Sequence, residues 1–430
     1  MTLMSRLLTA AAAVFAITGT AHAQNAFVTA DRMVDVESGR LIENAAVLIE
    51  DGKVKFAGDM STVRMAIPED ATRIDLSGYT LLPGLIDMHV HLTSSSDYHG
   101  YRGLALSDEM SAIIGVVNAQ TTLDAGFTTV RNVGAGSFGD VALRDAINQG
   151  MIPGPRMFVS GPSIGITGGH CSDNNLLPEE YKLEGEGVAD GPWAARSAVR
   201  KNIKYGADLI KTCSTGGVLS KGTKVGAPQY TVEELTALTE EAHSHGLKVA
   251  SHAHGAEGIR NALMAGVDTI EHASFIDDEG IRLAKKNGAY LSMDIYVTEY
   301  ILGEGEAAGI LEESLEKERM TGQTQRDNFR KAHEAGVKMV LGTDAGVYPH
   351  GQNARQLSRM TRFGMTSAEA LQAATVNAAD ALGKGDTIGK LAPGYFADII
   401  AVQGNPLDYI SILESVDFVM KEGVVYKSVD

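Results

Sequence analysis

The middle of the chain alternates short apolar runs with longer amphipathic segments, and this pattern predicts strands separated by helices. Two of the helical segments begin with a threonine followed three residues later by a glutamate, the capping-box spacing of a helix start: Thr231 with Glu234, and Thr366 with Glu369. Eight strands alternating with helices are typical of an α/β fold of the (β/α)8 TIM-barrel type. The predicted barrel strands are Leu85–Leu92, Phe127–Val133, Arg156–Gly161, Asp208–Ser214, Lys248–His254, Thr269–Ser274, Ala289–Asp294 and Lys338–Ala345.

Both ends of the chain carry a different pattern, in which short β-type runs are separated by glycine-containing turns. This predicts a small β-sandwich domain built from both termini, residues 24–83 and 384–430, around a barrel at 84–383. The predicted strands of the sandwich are Ala26–Ala30, Ala45–Glu50, Lys53–Ala57, Thr72–Asp75, Tyr79–Leu82, Ala397–Val402, Val416–Lys421 and Val424–Lys427.

The composition is that of an acidic globular protein. Of 430 residues, 44% are apolar and 21% charged, and the formal net charge is −17. An acidic chain without basic clusters is a poor binder of nucleic acids or anionic membranes, and it favours small cationic substrates only if the acids face the site. Cys171 and Cys213 are too few for a disulfide scaffold or a zinc ribbon, and the sequence leaves open whether they are free.

The first 23 residues have the layout of a signal peptide. Arg6 precedes an apolar run that ends in Ala21-His22-Ala23, a small-residue cleavage pattern, so the mature protein is expected to begin at Gln24. No later run reaches transmembrane length without charges or glycines. The sequence therefore predicts export to the periplasm or the medium, with no membrane insertion after cleavage.

Polar residues stand where the predicted barrel strands end. The residues are His89 and His91 on the first strand, Lys211 on the fourth, His252 on the fifth, His272 on the sixth and Asp344 on the eighth. Strands of such a barrel all end at the face that carries the chemistry. Buried polar groups each need a partner, so packing alone does not explain this set. The pattern indicates a metal site.

These residues and their surroundings resemble the amidohydrolase superfamily, and the resemblance covers the whole mature chain. It is closest to exported dipeptidases, to Xaa-Pro or Xaa-Arg/Lys carboxypeptidases, and to the related amidases that hydrolyse ochratoxin A. The stretches that carry it are Leu82–His91, Thr128–Gly134, Thr167–His170, Ile210–Gly217, His252–Gly255 and Gly342–Gly346.

The resemblance implies two divalent metal ions, with zinc the natural choice for nitrogen-rich ligands and manganese or cobalt as alternatives. His89, His91 and Asp344 would hold one ion and His252 and His272 the other, with N6-carboxylated Lys211 bridging both. His252 and His254 share a strand face, so either suits the fifth-strand position. The family spacing of 20 residues before His272 favours His252 and leaves His254 facing the substrate.

Such a centre hydrolyses amides by attack of a metal-bridging hydroxide, with Asp344 as the base that passes the proton to the leaving nitrogen. Two further residues are candidate substrate contacts. His170, after the third strand, is a candidate for the substrate carbonyl or carboxylate, and Tyr230 stands just before the helix that begins at Thr231. Arg131 suits a substrate carboxylate but equally suits an internal ion pair.

The expected function is hydrolysis of dipeptides or short peptides with release of the C-terminal amino acid, Lys or Arg among the candidates because the chain is acidic. The alternative within hydrolases is an amidase for N-acyl or N-aroyl amino acids such as ochratoxin A. A non-catalytic exported binding protein would ordinarily have two lobes and no metal cluster, so the set of candidate metal ligands argues against that class. The resemblance also implies a homo-oligomer, with an octamer as one form.

Overall fold

The computed structural model describes residues 25–171 and 175–429, so the predicted signal peptide lies outside the described residues. The strands are β1 (Ala26–Asp35), β2 (Arg40–Glu50), β3 (Lys53–Asp59), β4 (Thr72–Pro83), β5 (Leu85–Val90), β6 (Phe127–Asn132), β7 (Arg156–Val159), β8 (Leu209–Cys213), β9 (Lys248–Ala253), β10 (Thr269–His272), β11 (Tyr290–Ser292), β12 (Lys338–Val340), β13 (Ile399–Gln403), β14 (Phe418–Lys421) and β15 (Val424–Lys427). The helices are α1 (Asp108–Asp124), α2 (Gly139–Asn148), α3 (Pro192–Lys204), α4 (Val232–Ser244), α5 (Ala256–Met264), α6 (Asp278–Asn287), α7 (Val297–Ala308), α8 (Glu312–Glu334), α9 (Arg355–Arg362), α10 (Ser367–Ala373) and α11 (Val376–Ala381).

Strands β5 to β12 form the predicted barrel. They lie in two parallel sheets, β5-β6-β7 and β8-β9-β10-β11-β12. Two single bridges close the ring, Ile164 to Thr212 on one side and Val90 to Ala345 on the other. Every residue of β5, β6 and β8 is buried, as expected for the strands of a parallel barrel that helices cover. The (β/α)8 expectation is confirmed.

The remaining strands come from both ends of the chain and form one sheet in the order β15-β14-β13-β4-β1-β2-β3. Edge strand β3 is bridged to the segment before β13 through Lys53 and Phe396, so the sheet folds over on itself. Its inner face buries side chains from both termini, among them Val28, Val47 and Ile399. This confirms the small sandwich made from both termini.

Strand β4 is one strand where the sequence predicts two. Gly78 has φ 89°, and the pairing of β4 with β1 shifts register between Ala30 and Arg32. A left-handed glycine lets the chain bulge without leaving the sheet. Gly78, at which the sequence predicts a turn between two strands, therefore lies in a β-bulge within one strand.

Both predicted capping boxes are present at the starts of α4 and α10. Within the described ranges, no helix combines the length and the apolar character that crossing a bilayer requires.

Candidate metal centre

The predicted strand-end residues converge on one cavity at the mouth of the barrel. This inner cavity, of about 170 Å³, is lined by His89, His91, Lys211, His252, His254, His272 and Asp344, together with residues from α7 and α8. The residues come from β5, β8, β9 and β10 and from the turns that follow β5, β9 and β12. The carboxyl ends of parallel strands meet at one face of a barrel, so distant sequence positions become neighbours.

Asp344 joins the two histidines of β5 and its following turn. Its Oδ1 lies 3.3 Å from His89 Nε2 and 3.2 Å from His91 Nε2. Burial acts to raise the pKa of Asp344, but His89 and His91 hold it well below its ordinary value. The residue has φ 59°, in the left-handed region that Asp and Asn tolerate better than most residues.

A buried clamp holds Asp344 in this conformation. The preceding residue, Thr343, donates from Oγ1 to Asp87 Oδ2 at 2.6 Å, and Asn353 donates to the same oxygen at 2.8 Å. Asp87 also accepts the backbone N–H of His89 at 3.1 Å. Asp87 therefore ties β5 to the turn after β12.

Three further histidines form the other half of the cluster. Ring nitrogens of His252, His254 and His272 lie within 4.8 Å of one another. His254 Nδ1 is 2.7 Å from Ser274 Oγ, whereas the buried His252 Nε2 has no hydrogen-bond partner among the described residues. Burial lowers the pKa of His252 and of His254 well below the ordinary value, which keeps both rings neutral.

A buried ion pair stands behind His89. Glu271 Oε2 lies 3.1 Å from His89 Nδ1, and Glu271 Oε1 accepts from Arg131 Nη2 at 2.6 Å. Arg131 also donates to Met88 O and Thr269 Oγ1. A carboxylate on the far nitrogen of a histidine fixes the ring orientation and leaves the near nitrogen free as a ligand.

His272 is oriented in the same way. Its Nδ1 lies 2.9 Å from Asp294 Oδ1, and Gln325 of α8 donates to that oxygen at 2.8 Å and to His272 O at 3.2 Å. His272 itself has φ 68°. Backbone strain of this kind clusters at functional sites, where the surrounding contacts enforce it.

Lys211 lies in the middle of β8 and is 3% exposed. Burial lowers its pKa to about 8, while Glu271 and Asp344 act in the opposite direction. An uncharged amine is the form that reacts with electrophiles, and a buried lysine loses its proton more readily than an exposed one.

His170 covers the cavity from the segment after β7. Its ring centroid is 4.1 Å from that of His252, and its Nδ1 is 2.8 Å from Ser220 Oγ. A side chain at Gly217 would collide with this ring, because a Cβ there would lie 2.3 Å from His170 Cε1. The structure therefore brings His170 into the site, as the sequence predicts.

A disulfide bond anchors the segment that carries His170. Cys171, next to His170, is bonded to Cys213 at the end of β8, with Cα atoms 6.1 Å apart. Cys213 is completely buried and lies two residues from Lys211. The sequence leaves open whether the two cysteines are free, and the structure shows that they link the segment after β7 to the barrel.

The structure places two of the predicted substrate contacts, Arg131 and Tyr230, away from the inner cavity. Arg131 is 2% exposed, and its guanidinium is engaged inside the barrel, which is the alternative that the sequence left open. Tyr230 is 3% exposed and donates its hydroxyl proton to Ala189 O at 2.7 Å. Neither side chain lines the inner cavity.

The donor set fits divalent metal ions. A second group of close atoms, from His89, His272 and Asp344, also lies within 4.8 Å and shares His272 with the first group. Neutral imidazoles and a carboxylate are ordinary zinc ligands. A buried ring nitrogen without a partner is costly unless something binds it, and His252 Nε2 is such an atom.

The inner cavity opens into a larger outer cavity of about 610 Å³. Both are lined by His91, Ser163, His170, Cys171 and Leu219. The outer cavity adds apolar side chains of Leu176 and Leu183. The two cavities therefore adjoin beside His170, and together they offer room for a ligand larger than the inner cavity alone would hold.

The sequence misses the residues that support the ligands. Asp294 stands at the end of a predicted barrel strand, and this position alone is enough to predict that it lies near the metal site. Glu271, Gln325 and the disulfide have no such signal, because each depends on a partner that is distant in sequence.

The comparisons with known proteins agree with this geometry. A model of the amidohydrolase family matches residues 80–428. Ochratoxinase of Aspergillus niger is 34% identical over 415 residues, which cover 90% of this chain and 84% of that protein. The crystal structure of a Xaa-Pro dipeptidase with methionine bound in the active site matches with a TM-score of 0.88 and 37% identity, over 94% of this chain and 100% of that chain. The crystal structure of A. niger ochratoxinase matches with a TM-score of 0.86 and 30% identity, over 94% and 96%. The extent of these matches shows that the chain belongs to the amidohydrolase family.

Proposed function

We propose that this protein is a metal-dependent hydrolase of dipeptides and short peptides that releases the C-terminal amino acid. The observation that carries the proposal is the cluster of histidines around Asp344, side chains that can bind metal ions, in the inner cavity. The outer cavity connects this cluster with solvent. The relatives support it, because one of the matching structures is a Xaa-Pro dipeptidase.

The chemistry follows from the donor set. Divalent ions held by His89, His91, His252, His272, Asp344 and carboxylated Lys211 would lower the pKa of a water molecule and polarise the amide carbonyl. Asp344 would accept the proton of the attacking water and return it to the departing nitrogen. Its Oδ1 contacts the imidazoles of His89 and His91, which puts the carboxylate among the residues that would hold the ions.

Lys211 is the position where carboxylation is expected. The side chain is buried beside Glu271 and Asp344, and the divalent ions would hold the new carboxylate. A Lys211→Ala variant is expected to lose activity and metal, and a short-chain carboxylic acid added to it is expected to restore part of both. Full metal content and full turnover in the variant would remove carboxylation from the mechanism.

A second candidate function is cleavage of N-acyl or N-aroyl amino acids such as ochratoxin A. The outer cavity favours it, because its volume and the apolar side chains of Leu176, Leu183 and Leu219 suit a bulky acyl group. A. niger ochratoxinase is 34% identical to this chain.

A screen of the metal-replete protein against dipeptides and N-acyl amino acids tests both candidates. Higher kcat/KM for dipeptides than for release of phenylalanine from ochratoxin A supports the peptidase, and the reverse order supports the amidase. A protein that leaves the whole library intact would contradict both.

The proposal extends to export. Disulfides persist in oxidising compartments and are rare in the cytosol, and the Cys171–Cys213 bond accords with the predicted signal peptide. Cell fractionation with detection of the protein tests this. The homo-oligomer that the resemblance implies stays a prediction, which light scattering of the purified protein checks.

A further inference from the structure

A buried glutamate that is not one of the metal-type residues forms part of the inner cavity wall. Glu318 lies on α8 and is 3% exposed. It shares the cavity-facing side of that helix with Thr321 and Gln325, as positions three and seven residues apart do on a helix. Gln325 supports His272, so this face of α8 belongs to the site.

The carboxyl group of Glu318 lacks the partners that the other acids here possess. Asp344 has two imidazoles, Asp294 has His272 and Gln325, and Glu271 has Arg131 and His89. Glu318 Oε1 is buried with no hydrogen-bond partner among the described residues. Burial raises the pKa of Glu318 to about 7, and the neighbouring Thr298 hydroxyl and the charge of Arg326 offset this rise only in part, because a buried ionised carboxylate with few donors is poorly solvated.

The neighbouring cations are already engaged. Lys317 pairs with Glu313 at 2.7 Å and donates to Ser220 O at 2.8 Å. Arg326 donates to Ile295 O at 3.1 Å and contacts Glu299. Arg326 still acts on the charge of Glu318, but among the described residues neither cation forms a salt bridge with it.

We propose that Glu318 binds a cationic group of the substrate, an ammonium or a guanidinium, and so selects substrates that carry one. This rests on the proposed function and names the chemical class of substrate that the site prefers. The cation has two sources in a dipeptide, the free N-terminus and a basic side chain of the released residue. A carboxylate in a desolvated pocket recognises either through charge-assisted hydrogen bonds.

A purely structural role is the competing interpretation. Thr298 of α7 lies beside Glu318, because a Cβ built at Gly322 would lie 2.8 Å from both Glu318 Oε1 and Thr298 Oγ1. Thr298 Oγ1 is likewise buried without a hydrogen-bond partner among the described residues. If Glu318 only packs α7 against α8, then its replacement changes stability and leaves the preference among substrates unchanged.

The variant Glu318→Gln removes the charge and keeps the shape. Its matched control is Glu316→Gln, which removes one negative charge from an exposed position of the same helix. Three substrates separate the sources of the cation: Ala-Leu carries an N-terminal ammonium, Nα-acetyl-lysine carries only a side-chain ammonium, and N-acetyl-leucine carries none.

In Glu318→Gln we expect kcat/KM to fall roughly 10- to 100-fold for the substrates whose cation Glu318 binds, with the value for N-acetyl-leucine unchanged. A selective loss for Ala-Leu assigns the N-terminus, and a selective loss for Nα-acetyl-lysine assigns the side chain. An equal loss for all three substrates, or no loss for any, overturns the proposal while the hydrolase assignment stands. Glu316→Gln is expected to match the wild type.

A binding experiment on the metal-replete protein decides the matter without turnover. Calorimetry with 6-aminohexanoate and hexanoate compares two carboxylates that differ by one ammonium group. The wild type is expected to bind 6-aminohexanoate about tenfold or more tightly than hexanoate, and Glu318→Gln is expected to lose that preference. A wild type without preference would contradict the cation site, and a wild type with preference but without amide hydrolysis would contradict only the proposed function.

Discussion

Nδ1 of His89 lies 3.1 Å from Oε2 of Glu271, so a residue of the candidate metal site rests directly on a buried ion pair. Arg131 completes that pair and is anchored to the carbonyl of Met88 on the same strand as His89. Barrel packing and ligand geometry are therefore enforced by the same three side chains.

Replacing Glu271 by glutamine tests this coupling. The variant is expected to bind metal 10- to 100-fold more weakly, because His89 loses the group that orients it. It is also expected to lose about 3–5 kcal/mol of stability, because Arg131 is left buried without its partner. Metal titration and chemical denaturation measure the two effects. Glu279→Gln, which breaks an exposed pair with Arg282, is the control and should change neither quantity.

Asp344→Asn is expected to keep the fold and lose turnover by several orders of magnitude, since it removes a base and a ligand together. Asparagine tolerates the left-handed conformation at this position. Asp344→Ala should lose the same activity and also stability, because alanine is strained at a φ of 59°. Comparing kcat and melting temperature for the two variants separates chemistry from strain. A near wild-type kcat in Asp344→Asn would exclude the proton-transfer role.

Reduction of the Cys171–Cys213 bond is expected to destabilise the protein by about 2–4 kcal/mol. It should also lower kcat/KM, because His170 adjoins Cys171 and loses its covalent anchor to β8. Melting curves and activity with and without a thiol reductant measure both effects. The double variant Cys171→Ser, Cys213→Ser should be insensitive to reductant, and a wild type that is equally insensitive would contradict the prediction.

The pH dependence of stability is expected to contain a contribution from His350. Burial lowers its pKa from 6.5 to about 4, and in its neutral form it contacts His91 O and Thr122 Oγ1. Between these pH values His350 is protonated in the unfolded chain and neutral in the folded protein. Stability is therefore lost as pH falls from about 6.5 to 4, by at most about 1.4 kcal/mol per pH unit for one group.

His350→Gln keeps a donor and an acceptor but removes this titration. Unfolding free energies measured across that pH window should fall less steeply in the variant than in the wild type. Parallel curves for the two proteins would show that His350 is not responsible.

The strand-end residues could be predicted because the fold makes their convergence obligatory. Once β5, β8, β9 and β10 are assigned to one parallel barrel, residues such as Lys211 and His272 must meet at the same face. The sandwich followed in the same way from the similar patterns at both termini.

The supporting residues could not be predicted, because their roles depend on packing between distant elements. From the sequence, Arg131 suited a substrate carboxylate and an internal ion pair equally well, and only the structure shows its ion pair with Glu271. Glu318 and Gln325 belong to α8, and only the docking of that helix over the barrel mouth decides which of its sides meets the cavity. No periodicity in the sequence carries that information.

The sheet shared by the two termini also constrains biosynthesis. Thr80 of β4 donates to the carbonyl of Gly404, 324 residues further along the chain, and β13 supplies the neighbouring strand of β4. The ribosome must therefore release nearly the whole chain before this sheet can be completed, and contacts of such long range form slowly. A product truncated before β13 would expose the edge of β4, where unpaired backbone groups invite aggregation and proteolysis. The cell thus has a structural means of distinguishing a finished molecule from an incomplete one.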